Sequence, residues 1–402
     1  MKRISILLFT VLSFSVFAQD TAKVMFYNVL NFSGNNPQRK DTLKKIVQYY
    51  KPDIFMITEI KDLLGSNYIL NGSLNVNGIN YYAAANFIDG PDSDNMLYYN
   101  SNKFGLVSQN NIPTDLRDIN EYVLYYKSPN LANEDTIYLY CYVAHLKASQ
   151  GYENERNLEA QAFIDYVNQK SNLKNVIFTG DLNLYGASEP AFSTLTNGGN
   201  IKLYDPANRV GEWHNNPSFS DVLTQSTRDS DIGDGGSIGG MDDRFDFILV
   251  SEDINTTGYN GVKYVSNSYH PIGQDGLRYD QSVISPANQD VPQDIATALY
   301  YMSDHLPVKM EVVLDNNLVT NTQFYPQPRR ETNIYYNADA VKLKNTDNIR
   351  TVEVYNLLGV KLKSFNGNST EVTIDKNTFA EGIYFVKITT ENHQVETLKI
   401  KL

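Results

Sequence analysis

The chain has few features that would cross-link it or attract polyanions over its whole surface. Of its 402 residues one is cysteine, and 46 acidic side chains outnumber 34 basic ones. A lone Cys141 cannot form an internal disulfide, so stability must come from the core or from bound ions. The net charge of −12 is a poor match for tight binding of nucleic acid. It does not exclude an action on nucleic acid, because a metal ion and a local basic strip can offset the field.

Long apolar runs are also scarce, and the one at the amino terminus is too short to span a membrane. Residues 1–18 begin with Lys2 and Arg3, continue as an apolar stretch and end in Ala18 before Gln19. This pattern is typical of a secretory signal peptide, and the run is below the roughly 20 apolar residues that a bilayer requires. We therefore predict a signal peptide over residues 1–18 and no transmembrane segment in the mature chain.

Aromatic and aliphatic residues are abundant, with 29 tyrosines, 18 phenylalanines and a hydrophobic share of 42%. That share allows a sizeable core, and the aromatic enrichment favours strands. Over residues 20–315, strand-like apolar runs alternate with segments of helical spacing. Two such helical faces are Leu43, Ile46, Val47 and Tyr50, and then Ala160, Phe163, Ile164 and Val167. We predict an α/β domain with either one mixed sheet or two packed sheets and outer helices.

Three segments depart from this alternation. Residues 226–243 are dominated by glycine and aspartate, which predicts a loop. A solvated connector is the favoured interpretation, and the alternative is a mobile flap or a structural Ca²⁺ site. Residues 316–332 are rich in asparagine and proline and predict a linker. Residues 333–402 predict a hairpin and further strands with no cluster of His, Asp and Glu, hence a small all-β domain without chemistry of its own.

Polar side chains lie at the ends of successive apolar strands in the first domain, and one further acid, Asp246, lies within an apolar run. Those at strand ends are Asn28, Glu59, His145, the pair Asp181 and Asn183, and the pair Asp304 and His305, which precedes a last apolar strand. Repeated acid, amide and imidazole groups at strand ends indicate one convergent site at one edge of the sheet core.

The acidic and amide groups of this set suit a hard metal ion and a water molecule. Glu59 would be costly to bury unless it meets a cation, and Mg²⁺ or Mn²⁺ prefers oxygen ligands such as Glu59 and Asn28. The alternative for Glu59 alone is a salt bridge or a helix cap. Asp181 and Asn183 are two residues apart on extended backbone and face the same side. Asp181 can therefore orient or deprotonate an attacking water, while Asn183 holds it or a phosphate oxygen.

The histidines suggest contacts with a phosphate. His305 must stay charged to stabilise a pentavalent phosphate dianion, and so it needs a carboxylate partner. Asp246 is the candidate, because an unpaired acid inside its apolar run would be costly to bury. His145 could donate to a phosphate oxygen or to the leaving group, although a hydrogen-bonded structural histidine is its alternative.

In this order the motifs resemble the endonuclease/exonuclease/phosphatase superfamily of metal-dependent phosphoesterases. The matching elements are Tyr27-Asn28-Val29-Leu30-Asn31-Phe32, Pro52-Asp53-Ile54 running to Glu59-Ile60, Ala144-His145-Leu146-Lys147, Gly180-Asp181-Leu182-Asn183, Arg244-Phe245-Asp246-Phe247-Ile248 and Ser303-Asp304-His305-Leu306-Pro307. The resemblance implies a four-layer α/β sandwich over residues 20–315, with two packed mixed sheets flanked by helices. It implies metal contacts for Asn28, Glu59 and Asp304 and catalytic roles for His145, Asp181, Asn183, Asp246 and His305. One departure is Thr58, where many members carry glutamine before the metal-site glutamate.

The last part of the chain resembles the C-terminal sorting domain of type IX secretion in Bacteroidetes. The matching residues are Val354-Tyr355-Asn356-Leu357-Leu358-Gly359, Gly382-Ile383-Tyr384-Phe385-Val386-Lys387 and Leu398-Lys399-Ile400-Lys401-Leu402. The resemblance implies that residues 333–402 are recognised by the type IX secretion machinery. It also implies a protein that is secreted or held at the outer membrane or cell surface.

Together these patterns favour a secreted, Mg²⁺-dependent endonuclease that hydrolyses DNA or RNA by in-line attack of water, acting as a monomer. A phosphodiesterase or phosphatase for phospholipid or sugar-phosphate esters is the alternative within the same chemistry. A surface-binding protein that has lost activity is disfavoured, because it need not keep every polar group of the set. A local basic strip for a nucleic-acid substrate could be formed by Lys103, Arg117, Lys147 and Arg156, and the alternative for each of them is a plain solvated surface position.

Overall fold

A computed structural model describes residues 20–129, 131, 136–171, 173–315, 332–337, 339–356, 360–391 and 395–402. The predicted signal peptide and all but the last residue of the predicted linker lie outside these ranges. The chain divides into two compact units, Met1–Thr320 and Asn321–Leu402. None of the helices in the described ranges is long and apolar enough to cross a membrane.

The first unit alternates strands and helices, as its apolar patterning predicts. Its strands are β1 (Asp20–Phe32), β2 (Ile54–Ile60), β3 (Tyr82–Ala84), β4 (Asp94–Asn100), β5 (Phe104–Ile112), β6 (Ile119–Tyr126), β7 (Tyr138–His145), β8 (Val176–Asp181), β9 (Leu203–Tyr204), β10 (Asp246–Ser251), β11 (Val262–Tyr264), β12 (His270–Pro271) and β13 (Val308–Leu314). Its helices are α1 (Arg39–Tyr50), α2 (Leu63–Ile69), α3 (Glu153–Asn168), α4 (Pro190–Asn197) and α5 (Gln293–Met302). Short helical turns lie at Leu70–Leu74, Pro217–Phe219 and Asp253–Thr257.

These strands form two mixed sheets. The first sheet has the order β11-β13-β1-β2-β4-β3, with β12 also paired to β13. The second sheet has the order β5-β6-β7-β8-β10-β9. In each sheet the central pair is parallel, β1 with β2 and β7 with β8, whereas the other neighbours are antiparallel. The carboxyl ends of four central strands therefore lie where β10 begins.

Alternate side chains of each central strand enter different cores. Val24 and Phe26 of β1 share an inter-sheet core with Cys141 and Val143 of β7. Met25 of β1 faces the other way, into a core that the helices cover. Sheets packed on one face and covered by helices on the other form the four-layer α/β sandwich that the resemblance implies. Within the inter-sheet core, burial raises the pKa of the Cys141 thiol to about 12, which agrees with a structural rather than a nucleophilic cysteine.

The two helical faces read from the sequence are confirmed. In α1 the buried side chains are Leu43, Ile46, Val47 and Tyr50. In α3 the buried side chains include Ala160, Phe163, Ile164 and Val167, and Phe163 lies edge-on to Tyr142 of the second sheet. Arg156 and Glu159 of α3 are also buried, which the apolar period does not predict.

The second unit is all-β in its described ranges. Its strands are β14 (Asn333–Tyr336), β15 (Ala340–Tyr355), β16 (Lys361–Asp375), β17 (Ile383–Thr390) and β18 (Val395–Lys401), with a helical turn at Lys376–Thr378. They form one antiparallel sheet of order β14-β15-β17-β18, and β16 pairs along the other edge of β15. Its core includes Val352, Val386, Ile388, Leu398 and Ile400.

Candidate active site

Three of the predicted site residues lie in one row across the second sheet. His145 ends β7 and pairs in register with Asp181 at the end of β8, which in turn pairs with Asp246 at the start of β10. Residues that are directly opposite on neighbouring strands project to the same face of a sheet, so the three side chains are brought together. Gly180 is needed beside this row, because a Cβ there would lie 2.3 Å from the carbonyl oxygen of Ala144.

The first sheet contributes Asn28 and Glu59. The Asn28 amide nitrogen donates hydrogen bonds of 2.9 Å to Glu59 Oε1 and of 2.9 Å to Asp181 Oδ2, so it links the two sheets. Its Oδ1 accepts from the backbone N–H of Leu30, and Glu59 Oε2 accepts from that of Asn31. In this arrangement the Asn28 nitrogen, rather than its oxygen, faces the carboxylates. Asn28 therefore positions Glu59 and Asp181 relative to each other.

Irregular backbone directs these side chains into the site. The register between β1 and β2 shifts after Asn28, and that between β2 and β4 shifts after Ile57. Four nearby residues that are not glycine have positive φ angles, namely Leu30 at 44°, Asn31 at 49°, Glu59 at 62° and Asn183 at 49°. Left-handed conformations of such residues are costly and cluster at functional sites, where they aim particular groups.

Glu59, His145 and Asp181 form a group that could hold a metal ion, because one ligand atom of each lies within 4.8 Å of the others. Nε2 of His145 is 3.5 Å from Asp181 Oδ2 and 3.9 Å from Glu59 Oε1. Burial holds the pKa of His145 well below its usual value, so its imidazole is neutral. Burial also raises the pKa of Asp181 to about 7. Among the described residues, no lysine or arginine forms an ion pair with either carboxylate of this group.

The predicted partnership of Asp246 and His305 is present. Oδ2 of Asp246 lies 2.7 Å from Nδ1 of His305, and both side chains are buried. Thr224 fixes the start of β10, because its Oγ1 accepts the backbone N–H of Asp246 at 3.3 Å. Burial opposes a charge on His305, but Asp246, Asp181 and Asp304 outweigh it and hold the pKa of His305 well above its usual value.

Asn183 follows β8 closely and is buried beside the row. Its amide nitrogen donates to the carbonyl oxygen of Leu146 at 3.1 Å, and its backbone N–H donates to Asp181 Oδ1 at 3.2 Å. Within the described part of the chain nothing donates to its Oδ1. The carboxylate of Asp181 and the amide oxygen of Asn183 are therefore both available to a water molecule.

Asp304 is placed differently from the other predicted metal contacts. Its Oδ2 accepts from the backbone N–H of Ser237 at 2.7 Å and from the Gln225 amide at 3.1 Å. It is not part of the group formed by Glu59, His145 and Asp181. Asp304 thus anchors the loop of residues 226–243, which contains no helix or extended strand, as predicted.

The aspartates of that loop do not converge on one point. Asp234 pairs with Arg228, and Asp231 accepts from the backbone N–H of Gly233. In the described ranges, the group formed by Glu59, His145 and Asp181 is the one place where three or more His, Cys, Asp or Glu ligands meet. The geometry therefore gives no support to the Ca²⁺ alternative for this loop.

Sequence reasoning missed several polar neighbours of the site. The side-chain amide of Gln225 lies 2.7 Å from Nε2 of His305. Tyr185 and the pair His214 and Asp243 lie beside the row, with His214 Nδ1 at 2.7 Å from Asp243 Oδ1. Gln225, Tyr185, His214 and Asp243 lie outside the regular strands and helices, so no apolar period marks them. The one available signal was that His214 is among only five histidines.

The prediction of a local basic strip is wrong. Arg156 is fully buried and pairs with Glu189 at 2.8 Å. Arg117 pairs with Asp92 at 2.9 Å, and Lys103 pairs with Asp20 and with Asp53. Lys147 lies 4.0 Å from the centre of the Tyr152 ring. Three of the four cations are thus neutralised by carboxylates, and the four do not form a strip of free positive charge.

The chain was compared with curated proteins and with solved structures. No curated protein matches the chain. Three similar solved structures are a humanized D. rerio TDP2 (16% identity, 73% of this chain and 98% of that chain, TM-score 0.47), an endonuclease/exonuclease/phosphatase family protein from Bacteroides thetaiotaomicron (17%, 74% and 100%, 0.47) and the human Nocturnin catalytic domain (16%, 74% and 97%, 0.46).

Two family models match the chain. Residues 323–401 match the secretion system C-terminal sorting domain, which implies an interaction with the type IX secretion machinery and secretion to the cell surface or outside. Residues 25–305 match the endonuclease/exonuclease/phosphatase family, and this range contains every predicted site residue. The chain belongs to that family, and it is a phosphoric ester hydrolase.

Proposed function

We propose that this protein is a secreted, Mg²⁺-dependent endonuclease that hydrolyses DNA or RNA by in-line attack of water. The observation that carries the proposal is the row formed by His145, Asp181 and Asp246, which the first sheet completes with Glu59 and His305. This arrangement supports the proposal because Asp181 can hold a water, His305 can contact a phosphate, and Glu59, His145 and Asp181 can hold a metal ion.

The residues present fit a divalent metal ion. Glu59 and Asp181 are carboxylates that lack a lysine or arginine partner within the described ranges, and His145 Nδ1 is buried without a hydrogen-bond partner there. Ligand atoms of Glu59 and Asp181 lie within 4.8 Å of each other. Like charges at such a separation repel, and a divalent cation between them offsets that repulsion. We assign Glu59, with Asp181 and His145, as the ligand set. A bound Mg²⁺ would offset the charge of a phosphate oxygen and of the leaving oxygen.

Asp181 and Asn183 are assigned to the attacking water. Oδ1 of Asp181 accepts from the backbone N–H of Asn183, whereas Oδ2 accepts from the Asn28 amide. A carboxylate within reach of a water molecule can orient it and accept its proton. Asn183 Oδ1 would accept the other hydrogen of that water and orient its lone pair towards phosphorus.

His305 is assigned to the phosphate, and Asp246 keeps it charged. Nε2 of His305 lies 3.6 Å from Asp181 Oδ2, so a group held by the imidazole would be next to the water that Asp181 orients. A fixed cation at this place stabilises charge that develops on a phosphate oxygen. Because His145 is neutral, we favour a ligand or hydrogen-bonding role for it over that of a general acid.

The test is hydrolysis by residues 20–402 of supercoiled plasmid, of single-stranded RNA and of sphingomyelin, each with Mg²⁺ or with EDTA. The proposal expects plasmid nicking or RNA cleavage with Mg²⁺ that EDTA abolishes. An Asp181→Asn variant, purified in parallel, should lack the activity and so excludes a contaminating nuclease. Release of phosphocholine from sphingomyelin without cleavage of either nucleic acid would instead establish the phospholipid alternative.

A further inference from the structure

A polar cavity of about 440 Å³ lies beside the catalytic row and has no part in the chemistry assigned above. Its side-chain lining consists mainly of Gln150, Glu153, Tyr185, Glu189, Glu212 and His214. Cavities that bind small molecules have volumes of roughly 300 Å³ and above, so this one can take a group the size of a sugar or a base.

The cavity adjoins the catalytic centre on two sides. Tyr185 follows Asn183 by two residues, and its ring lies edge-on to that of Phe245, the residue before Asp246, with 5.1 Å between the ring centroids. Single backbone bridges join Asp243 to Gln225 and Gln225 to His305, so these three backbone segments lie side by side. Two strand spacings of about 4.8 Å place Asp243 roughly 10 Å from His305.

His214 is held in one orientation towards this cavity. Nδ1 lies 2.7 Å from Asp243 Oδ1, while Nε2 lies 3.1 Å from the Gln150 amide and 2.9 Å from the Asn215 amide. With both amides donating, Nε2 accepts and Nδ1 carries the proton. The ring also meets Tyr185 edge-on, at 5.0 Å between centroids and 83° between planes. An imidazole that is fixed from several sides and is still 31% exposed can contact a ligand without losing further rotational freedom.

The charge of the cavity selects against a second phosphate. Arg156 pairs with Glu189 at 2.8 Å and with Glu153 at 3.6 Å, whereas Glu212 forms no ion pair within the described ranges. A phosphate placed there would be repelled by the remaining carboxylates. Hydroxyl and amino groups, by contrast, would donate hydrogen bonds to them. The Tyr185 ring is in contact with Arg156, Phe245 and His214, so recognition would depend on hydrogen bonds rather than on stacking.

We propose that this cavity is a subsite for the uncharged sugar and base of the nucleotide next to the scissile phosphate, with His214 and Glu212 as contacts. The proposal rests on the proposed nuclease function, because it assumes a phosphodiester between His305 and Asp181. It names the substrate class as a nucleoside ester and requires that any further phosphate of that nucleotide lie outside the cavity, away from its carboxylates.

The test compares three chromogenic diesters with residues 20–402 and Mg²⁺: thymidine 5′-(4-nitrophenyl phosphate), thymidine 3′-(4-nitrophenyl phosphate) and bis(4-nitrophenyl) phosphate. In His214→Ala and in Glu212→Gln, kcat/KM for one thymidine ester should fall by about tenfold relative to the bis ester, mainly through KM. His214→Ala removes a fixed ring that contacts the nucleoside, and Glu212→Gln weakens a hydrogen bond from the nucleoside to a carboxylate. His214→Ala could disturb folding, because His214 contacts Asp243. Glu212 is exposed, so Glu212→Gln is expected to fold and gives an independent test.

His270→Ala is the matched control. His270 pairs with Asp290 at 2.9 Å and is 32% exposed, so it resembles His214 in partner and exposure but does not line this cavity. In His270→Ala, the ratios of kcat/KM between the three esters should equal those of the unmodified chain. If both His214→Ala and Glu212→Gln also leave these kcat/KM ratios unchanged, the subsite proposal is rejected and the proposed nuclease function is unaffected. If the unmodified chain hydrolyses none of the three esters, the proposed function and the subsite are overturned together.

Discussion

Asp246 and His305 belong to different sheets of the sandwich, and one hydrogen bond of 2.7 Å joins them. Asp246 begins β10 of the second sheet, while His305 leads into β13 of the first. The geometry of this pair therefore depends on how the two sheets pack, and it can form only when the inter-sheet core is in place. Asn28 makes a second link of the same kind through its bonds to Glu59 and Asp181.

Replacement of His305 is expected to remove activity without unfolding the protein. His305→Ala should lower kcat by about 10²–10³-fold, the cost typical of losing a fixed group that stabilises transition-state charge. The measurement is the initial rate of plasmid nicking or diester hydrolysis at saturating Mg²⁺. Thermal unfolding followed by circular dichroism should show a cooperative transition for the variant. Turnover equal to that of the unmodified chain would remove His305 from the catalytic set.

Replacement of Glu59 is expected to weaken metal binding. Glu59→Gln should raise the Mg²⁺ concentration for half-maximal activity by at least about tenfold, since even outer contacts of metal sites cost that much. Direct Mn²⁺ binding, measured by electron paramagnetic resonance, gives a readout that does not depend on turnover. Glu252→Gln is the control, because Glu252 is an exposed carboxylate just beyond the far end of β10. An unaltered metal requirement in Glu59→Gln would exclude Glu59 as a ligand.

The sequence predicts the layers and strand ends of this protein better than it predicts the contacts between them. Apolar runs locate β1, β2, β7 and β8, because each is buried on both faces and has little polar alternation. The polar residues that end those runs are the residues that the structure brings together. The row formed by His145, Asp181 and Asp246 could not be predicted from the residues alone, because register depends on pairing between segments far apart in the chain.

The residues that the sequence analysis missed or misplaced are positioned by contacts with other parts of the chain. Gln225 and His214 lie in irregular segments, whose positions are set by contacts with other parts of the fold. Arginine is usually exposed, yet Arg156 is fully buried, where its Nε donates to Glu189 and its Nη1 donates to the carbonyl oxygens of Lys147 and Ser149. A charge that is paired and hydrogen-bonded can be buried, and composition does not reveal that pairing.

Glu159 should make folding stability depend on pH in an unusual direction. Burial raises the pKa of its carboxyl from 4.5 to about 6, so the folded chain binds this proton more tightly than the unfolded chain does. Its contribution to stability is therefore fully present below about pH 4.5 and is lost as the pH rises through about 6. Glu159→Gln should stabilise the protein by up to about 2 kcal/mol at pH 8 and have little effect at pH 4.

Urea unfolding of both proteins at the two pH values checks this expectation. Glu155→Gln is the matched control, since Glu155 is an exposed carboxylate on the same helix α3, and its effect should stay within about 0.5 kcal/mol at both pH values. A Glu159→Gln variant that is equally stabilised at pH 4 and pH 8 would show that its carboxyl is not the titrating group.

The sorting domain should govern location and leave catalysis unchanged. The first unit has its own core and contains every site residue, so residues 20–320 are expected to keep the kcat/KM of residues 20–402 on the same diester. In the producing cells, the chain without residues 321–402 should stay inside the outer membrane, whereas the full chain reaches the surface or the medium. Activity assays on medium, intact cells and lysate measure this distribution. The converse experiment attaches residues 321–402 to an exported reporter enzyme, which should then appear outside the cell; retention of that reporter would mean that export needs part of the first unit as well.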